Sequence, residues 1–166
     1  MVEQGLSELS ESASKRFGED RYEITALGMR LCAARLLKPI ARSKADQLIA
    51  EFLKRVREVN NRHDLQYRVK QVIAFGSYIA ASVDVADIDL VIHLERKQPP
   101  PGIDVAHWLA ERAVASGRRF SSDLDMLAHS EMEVRRLLKA GSPYLAFHDM
   151  HELETLNTQT RILFSV

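Results

Sequence analysis

Val69-Lys70-Gln71-Val72-Ile73-Ala74-Phe75-Gly76-Ser77 and, after nine intervening residues, Asp87-Ile88-Asp89-Leu90-Val91-Ile92-His93-Leu94 decide how this chain is read. Both runs are apolar and rich in strand formers, and Gly76-Ser77 breaks the first of them. Side chains at i and i+2 of a strand share a face. Asp87 and Asp89 are therefore expected on one face of a strand over 87–94, with Ile88, Leu90 and Ile92 on the other. Two neighbouring carboxylates repel each other and are costly to bury unpaired. A divalent cation removes that penalty, and Mg²⁺ takes oxygen ligands. Glycine lets backbone approach a ligand closely. A strand-to-helix turn presents N–H groups suited to phosphate, and the Ser77 hydroxyl adds a donor. The two runs together outline a site for a triphosphate and Mg²⁺.

Working outward, the rest reads as α/β. Ser43-x-x-Asp46 resembles a capping box opening a helix over 43–59. Ala45, Leu48, Ile49, Phe52, Leu53, Val56 and Val59 form its apolar stripe. A short helix is expected over Tyr78–Ser82. Asp104 caps a helix carrying Val105, Trp108 and Leu109, which Gly117 stops. Ser122-Asp123-Leu124-Asp125-Met126-Leu127-Ala128 is expected as a third strand. Asp125 emerges from it between two apolar residues as a third carboxylate, with Asp123 as its substitute. Ser130-x-x-Glu133 is expected to open a further helix ending at Gly141. Apolar pieces follow at Tyr144–Phe147 and Ile162–Phe164, with Asp149 capping a short helix between them. The expected fold is a small mixed sheet flanked by helices. It is divided into an arm at 1–21 (mobile or weakly helical), a helical extension at 22–64 that includes a helix from Ala26 capped by Thr25, and an α/β domain at 65–166.

The pattern of apolar strand, Gly-Ser, Asp-x-Asp strand and later Asp resembles the nucleotidyltransferase superfamily, which includes DNA polymerase beta, kanamycin nucleotidyltransferase and the minimal nucleotidyltransferases. The likeness spans residues 69–128. It implies a nucleotidyltransferase-like domain that moves a nucleoside monophosphate from an NTP to an acceptor hydroxyl, releasing pyrophosphate. By the same resemblance, Gly76 and Ser77 would hold the β and γ phosphates and Asp87 and Asp89 would ligate two Mg²⁺ ions. Asp125 would bind the second ion and help deprotonate the attacking hydroxyl. The acceptor would be a protein, a tRNA or a small molecule. Minimal members often pair with a helical protein in toxin–antitoxin systems, so a weakly active or inactive binding module is the alternative. Two departures stand out. Family members often carry a basic residue soon after Gly-Ser, where this chain has Tyr78-Ile79-Ala80-Ala81, and a Ser or Gly before Asp-x-Asp, where it has Val85-Ala86. Lys70, Arg118 and Arg119 are the candidates to neutralise phosphate instead.

Composition bounds these readings. The chain has 166 residues, equal numbers of acidic and basic residues, and 46% apolar residues. That length supports a core burying roughly 68–70% of the unfolded surface. The neutral total argues against a generic polyanion binder. Charge is nonetheless uneven. Residues 1–70 hold 14 Lys/Arg against 10 Asp/Glu, and residues 71–166 hold 9 against 13. The basic half offers a nucleic-acid-binding reading, and the acidic half contains Asp84, Asp87, Asp89, Asp123 and Asp125. Asp84 reads as a loop residue rather than a ligand. A single cysteine, Cys32, forms no internal disulfide and reads as a buried thiol. No apolar run reaches the roughly 18 residues of a membrane span, and the polar N-terminus lacks a secretory apolar core, so a cytoplasmic protein is expected.

Four other features carry weaker readings. His148-x-x-His151 has metal-binding spacing, but two ligands alone make a poor site. His93 is expected to face away from the two Asp. Trp108 is expected to pack its helix on the sheet, with adenine stacking as the alternative. The run Arg21–Leu31 faintly resembles the wing-to-helix exit of winged-helix proteins; its other reading is a buttress for the sheet.

Overall fold

The computed structural model describes residues 5, 7–10, 14–16, 18–25, 37–80, 82–155 and 158–166. The chain divides into two compact units, Met1–Leu37 and Lys38–Val166. In the smaller unit, β1 (Ser7–Leu9) pairs antiparallel with β2 (Tyr22–Ile24). The arm over 1–21 thus contributes a strand rather than only a tail or helix. Thr25 donates its hydroxyl to the Gly5 carbonyl at 2.6 Å. The helix expected from Ala26, and Cys32 within it, lie outside the described residues.

The larger unit is mixed α/β. Helix α1 spans Arg42–Asn61 and buries Ala45, Ile49, Phe52, Val56 and Val59, the helical stripe read from the sequence. The capping box at its start does not form. The helix begins one residue earlier, after Ala41, with no side-chain cap. Asp46 instead accepts from the Tyr78 hydroxyl at 3.1 Å and pairs with Arg42 at 3.4 Å. Because α1 supplies a large share of the core, it belongs to this unit rather than to an extension ending at residue 64.

Four strands form the sheet in the order β7-β6-β4-β8. They are β4 (Tyr67–Phe75), β6 (Ile88–Arg96), β7 (Leu145–His148) and β8 (Thr160–Ser165). β4 pairs antiparallel with β6 and with β8, and β7 runs parallel to β6, so the sheet is mixed. Two short strands, β3 (Ile40–Ala41) and β5 (Asp84–Val85), pair beside it. The register opposes Phe75 to Asp89 and Ala74 to Leu90. Val72, Ala74, Ile88, Leu90 and Ile92 consequently face α1 and the main core. Ile73, Phe75 and Val91 form a second, smaller cluster with Leu153.

Helix α2 (Val105–Ala115) starts where Asp104 accepts from the N–H groups of Ala106 and His107. The expected third strand over 122–128 is not formed. A single helix α3 runs over Asp123–Lys139, with Ser122 as its N-cap accepting from the Asp125 N–H. The helix leaves Leu124 79% exposed and buries His129, Ser130, Val134 and Leu138, so the packing of its later residues selects it. The helix start expected at Ser130 is overturned for the same reason. Ser130 lies mid-helix and donates to the Gln66 side chain. The helix closes on a left-handed Ala140 (φ 47°) followed by Gly141. Helix α4 (Met150–Thr155) has its Glu152 N–H held by the Asp149 carboxylate at 2.8 Å, the cap expected there.

His129 is 5% exposed, and neither ring nitrogen has a partner among the described residues. Burial, the largest cause, holds its imidazole below the ordinary value of 6.5. The unfolded chain therefore takes up this proton at a higher pH than the folded one, and His129 costs stability as pH falls below about 6.5. In urea titrations between pH 7.5 and 5.5, the His129→Leu variant should gain stability relative to the parent as pH falls. Parallel curves would remove this assignment. Truncating the fully buried Phe52 to Ala should cost about 3–5 kcal/mol in the same assay.

Candidate functional site

The β4–β6 hairpin places Gly76-Ser77 against the start of the Asp-x-Asp strand. Gly76–Tyr78 forms a single 3₁₀ turn, which replaces the longer helix expected over 78–82. Gly76 has φ +68°, and a Cβ built on it would lie 2.5 Å from Asp89 Oδ2. Only glycine meets both conditions, because the left-handed backbone penalises a side chain and the carboxylate occupies its space. The Ser77 hydroxyl donates to the Asp87 carbonyl at 3.0 Å, tying the turn to β6. Asp87 itself sits one residue before the strand begins and is half-buried.

Asp89 lies on the face of Phe75, Ile73 and Val91. There His148, at the end of the parallel strand β7, brings Nε2 to 2.9 Å from Asp89 Oδ1. Its Nδ1 lies 2.6 Å from Glu152 Oε2 on α4, and its ring packs edge-on against Phe75 at 5.1 Å. Burial works against a charge on His148, but the hydrogen bonds to Glu152 and Asp89 and their negative charges outweigh it and raise the imidazole above its ordinary value. The two ring nitrogens of His148 thus link Asp89 on β6 to Glu152 on α4. The sequence reading missed this role, having paired His148 with His151. His151 is exposed on α4 and has no part in it. The available signal was an apolar strand ending in His with a Glu four residues on.

His93 also departs from expectation. It is an even number of residues from Asp89, and it pairs with Gln71 as Asp89 pairs with Phe75. It therefore shares the face of the two Asp, further along and exposed.

The third carboxylate is not in this group. Asp125 occupies the first turn of α3, where its Oδ2 accepts from the Ser121 N–H at 3.1 Å. Ser130 anchors that half of α3 to Gln66, at the opposite end of β4 from Gly76. The nine residues of β4 put roughly 25–30 Å between the two ends. Asp123, two residues earlier in the same turn, is equally remote. The candidate phosphate neutralisers are also elsewhere. Lys70 pairs with Glu95 at 3.7 Å, and Arg118 and Arg119 lie in the α2–α3 connection. Helix α2 is tied to the Gln66 end of β4, because the Gln66 amide donates to the Trp108 carbonyl and Arg112 meets Asp64 at 3.4 Å. Trp108 lines a cavity of about 310 Å³ there with His63, Asp64 and Arg112, away from Gly76. Asp84 pairs with Ala41 and is exposed.

Among the described residues, no group of three His, Cys, Asp or Glu is arranged to hold a metal ion, and no helix is long and apolar enough to cross a membrane. No family model matches the chain, and neither the curated proteins nor the solved structures give a significant match.

Replacing Asp89 by Asn removes one of the charges that hold the His148 proton. The His148 pKa, followed by NMR titration, should fall toward the ordinary 6.5 in Asp89→Asn. Gly76→Ala should destabilise the unit by about 1–3 kcal/mol and shift His148 in the same direction, since the new methyl displaces the carboxylate. An unchanged His148 titration in both variants would contradict the bridge.

Proposed function

We propose that this chain binds a nucleoside triphosphate with Mg²⁺ at Gly76, Ser77, Asp87 and Asp89. From there it transfers a nucleoside monophosphate to a hydroxyl of a protein, tRNA or small-molecule acceptor, releasing pyrophosphate. The observation that carries this reading is the close approach of the Asp89 carboxylate to the backbone of Gly76, with Ser77 tied to Asp87. A carboxylate pair and a glycine turn at one strand end are what a metal–triphosphate complex needs. The resemblance to the nucleotidyltransferase superfamily supports the same reaction, and the mixed sheet with helices is compatible with that fold.

The donor set fits the ion. Mg²⁺ is commonly held by one or two carboxylates plus substrate phosphates rather than by a cage of protein ligands. Asp87 and Asp89 supply those carboxylates, and when bound the ion would neutralise phosphate charge. The expectation of two ions rested on Asp125, which lies at the other end of the sheet, so the proposal keeps one. The chain's own residues do the rest. Gly76 leaves room for the Asp89 carboxylate against the turn, and Ser77 ties the turn to Asp87. His148 holds Asp89 in one orientation through its contact at 2.9 Å. Positioning of this kind is a large part of phosphoryl-transfer catalysis.

The remote position of Asp125 favours a second reading, a nucleotide-binding module without transfer activity, such as a toxin–antitoxin component with a helical partner or a nucleic-acid-associated protein. Calorimetry with each NTP and Mg²⁺ tests binding, and pyrophosphate release with candidate acceptors tests transfer. Native protein should bind at least one NTP in a Mg²⁺-dependent manner, and Asp87→Ala with Asp89→Ala should abolish that binding. Binding without pyrophosphate release selects the module. No Mg²⁺-dependent binding at all rejects both readings.

A further inference from the structure

Two guanidinium groups converge on the residue that follows Ser77. The Arg42 guanidinium lies 4.8 Å from the centre of the Tyr78 ring, and that of Arg161 lies 5.5 Å from it. The ring is buried at 4% exposure, and its hydroxyl is fixed by Asp46, so it is a rigid platform. Arg42 is committed to the fold. It donates to the Ala80 carbonyl at 3.0 Å, bracing the far side of the turn, and pairs with Asp46. Arg161 is placed differently. It stands on β8 opposite Ala74, two residues from Gly76 along the neighbouring strand. It is exposed, and among the described residues it has no carboxylate within ion-pair distance. Two cations and one carboxylate meet at this ring, which makes the Tyr78 side of the turn its basic side, apart from Asp87 and Asp89, and holding two like charges together is unfavourable unless an anion joins them.

We propose that Arg161, held on the face of Tyr78, binds the phosphate chain of a nucleotide seated at Gly76-Ser77. This inference rests on the nucleotide reading above and deepens it. It also accounts for the departure noted in the sequence, the lack of a basic residue just after Gly-Ser. The positive charge is delivered by the C-terminal strand instead of the adjacent turn. A guanidinium suits this role because its planar fork matches phosphate oxygens, and stacking on an aromatic ring orients the fork before the ligand arrives.

The test uses the full chain and two probes, inorganic tripolyphosphate without divalent cation and the NTP with Mg²⁺, titrated against the native protein, Arg161→Gln and Arg161→Lys. Arg161→Gln should keep the native melting temperature and weaken both probes roughly tenfold or more. Arg161→Lys should retain part of the affinity, since it keeps the charge without the fork. Arg161→Gln binding both probes like the native protein would overturn the inference while leaving the Asp87/Asp89 reading intact. Tripolyphosphate binding that depends on Arg161, alongside NTP binding indifferent to Asp87→Ala with Asp89→Ala, would uphold Arg161 and reject the nucleotide reading. A native protein that binds neither probe would reject both.

Discussion

The register that sets Phe75 opposite Asp89 is the constraint on which the larger unit depends. It brings the turn after β4 against the first residues of β6 and leaves a carboxylate over the Cα of residue 76. A slip of one residue would send Asp89 into the α1 face and expose Ile88 and Leu90, both fully buried. The hydrophobic requirement of one face thereby fixes the polar geometry of the other.

The two faces of the sheet divide the work. On one, Phe52, Val56, Val134 and Leu138 from α1 and α3 close over Val72, Ala74, Ile88 and Leu90. This is where most of the apolar area is buried and where the stability of the unit originates. On the other, a small cluster of Ile73, Phe75 and Val91 meets Leu153 of α4. Polar groups accumulate at its edge, because the cover there is thin enough for Asp89 and His148 to keep partial contact with water while still pairing.

Charge around the turn is arranged in two groups. Asp89 and Glu152 share the His148 imidazole. On the Tyr78 side, Arg42 and Arg161 share one ring, with Asp46 paired to Arg42. The Gly76-Ser77 turn lies between an acidic group suited to a metal ion and a basic group suited to phosphate. Neither group is large, and each is held by residues already fixed in the core.

Much of this was legible in the sequence where a periodic pattern met a local breaker. The stripe of α1, the two long strands, the Asp104 cap and the Asp149 cap all follow from spacing, because burial of one face selects the same positions wherever the element packs. Ser122–Ala128 failed because alternating apolar and acidic residues fit a strand or the first turns of an amphipathic helix equally well. The choice fell to the helix, which seats Ser130 on Gln66 and Val134 and Leu138 in the core. The placing of His148 and Arg161 beside the turn was not legible, since they stand on strands about 60 to 85 residues distant in sequence from the residues they meet. By itself the sequence determined the Gly-Ser turn, the Asp-x-Asp strand and the α/β alternation, which are local consequences of conformational preference and side-chain period. The tertiary structure alone decided which distant charges join them, because pairing in a mixed sheet depends on how helices of fixed length bring strands together.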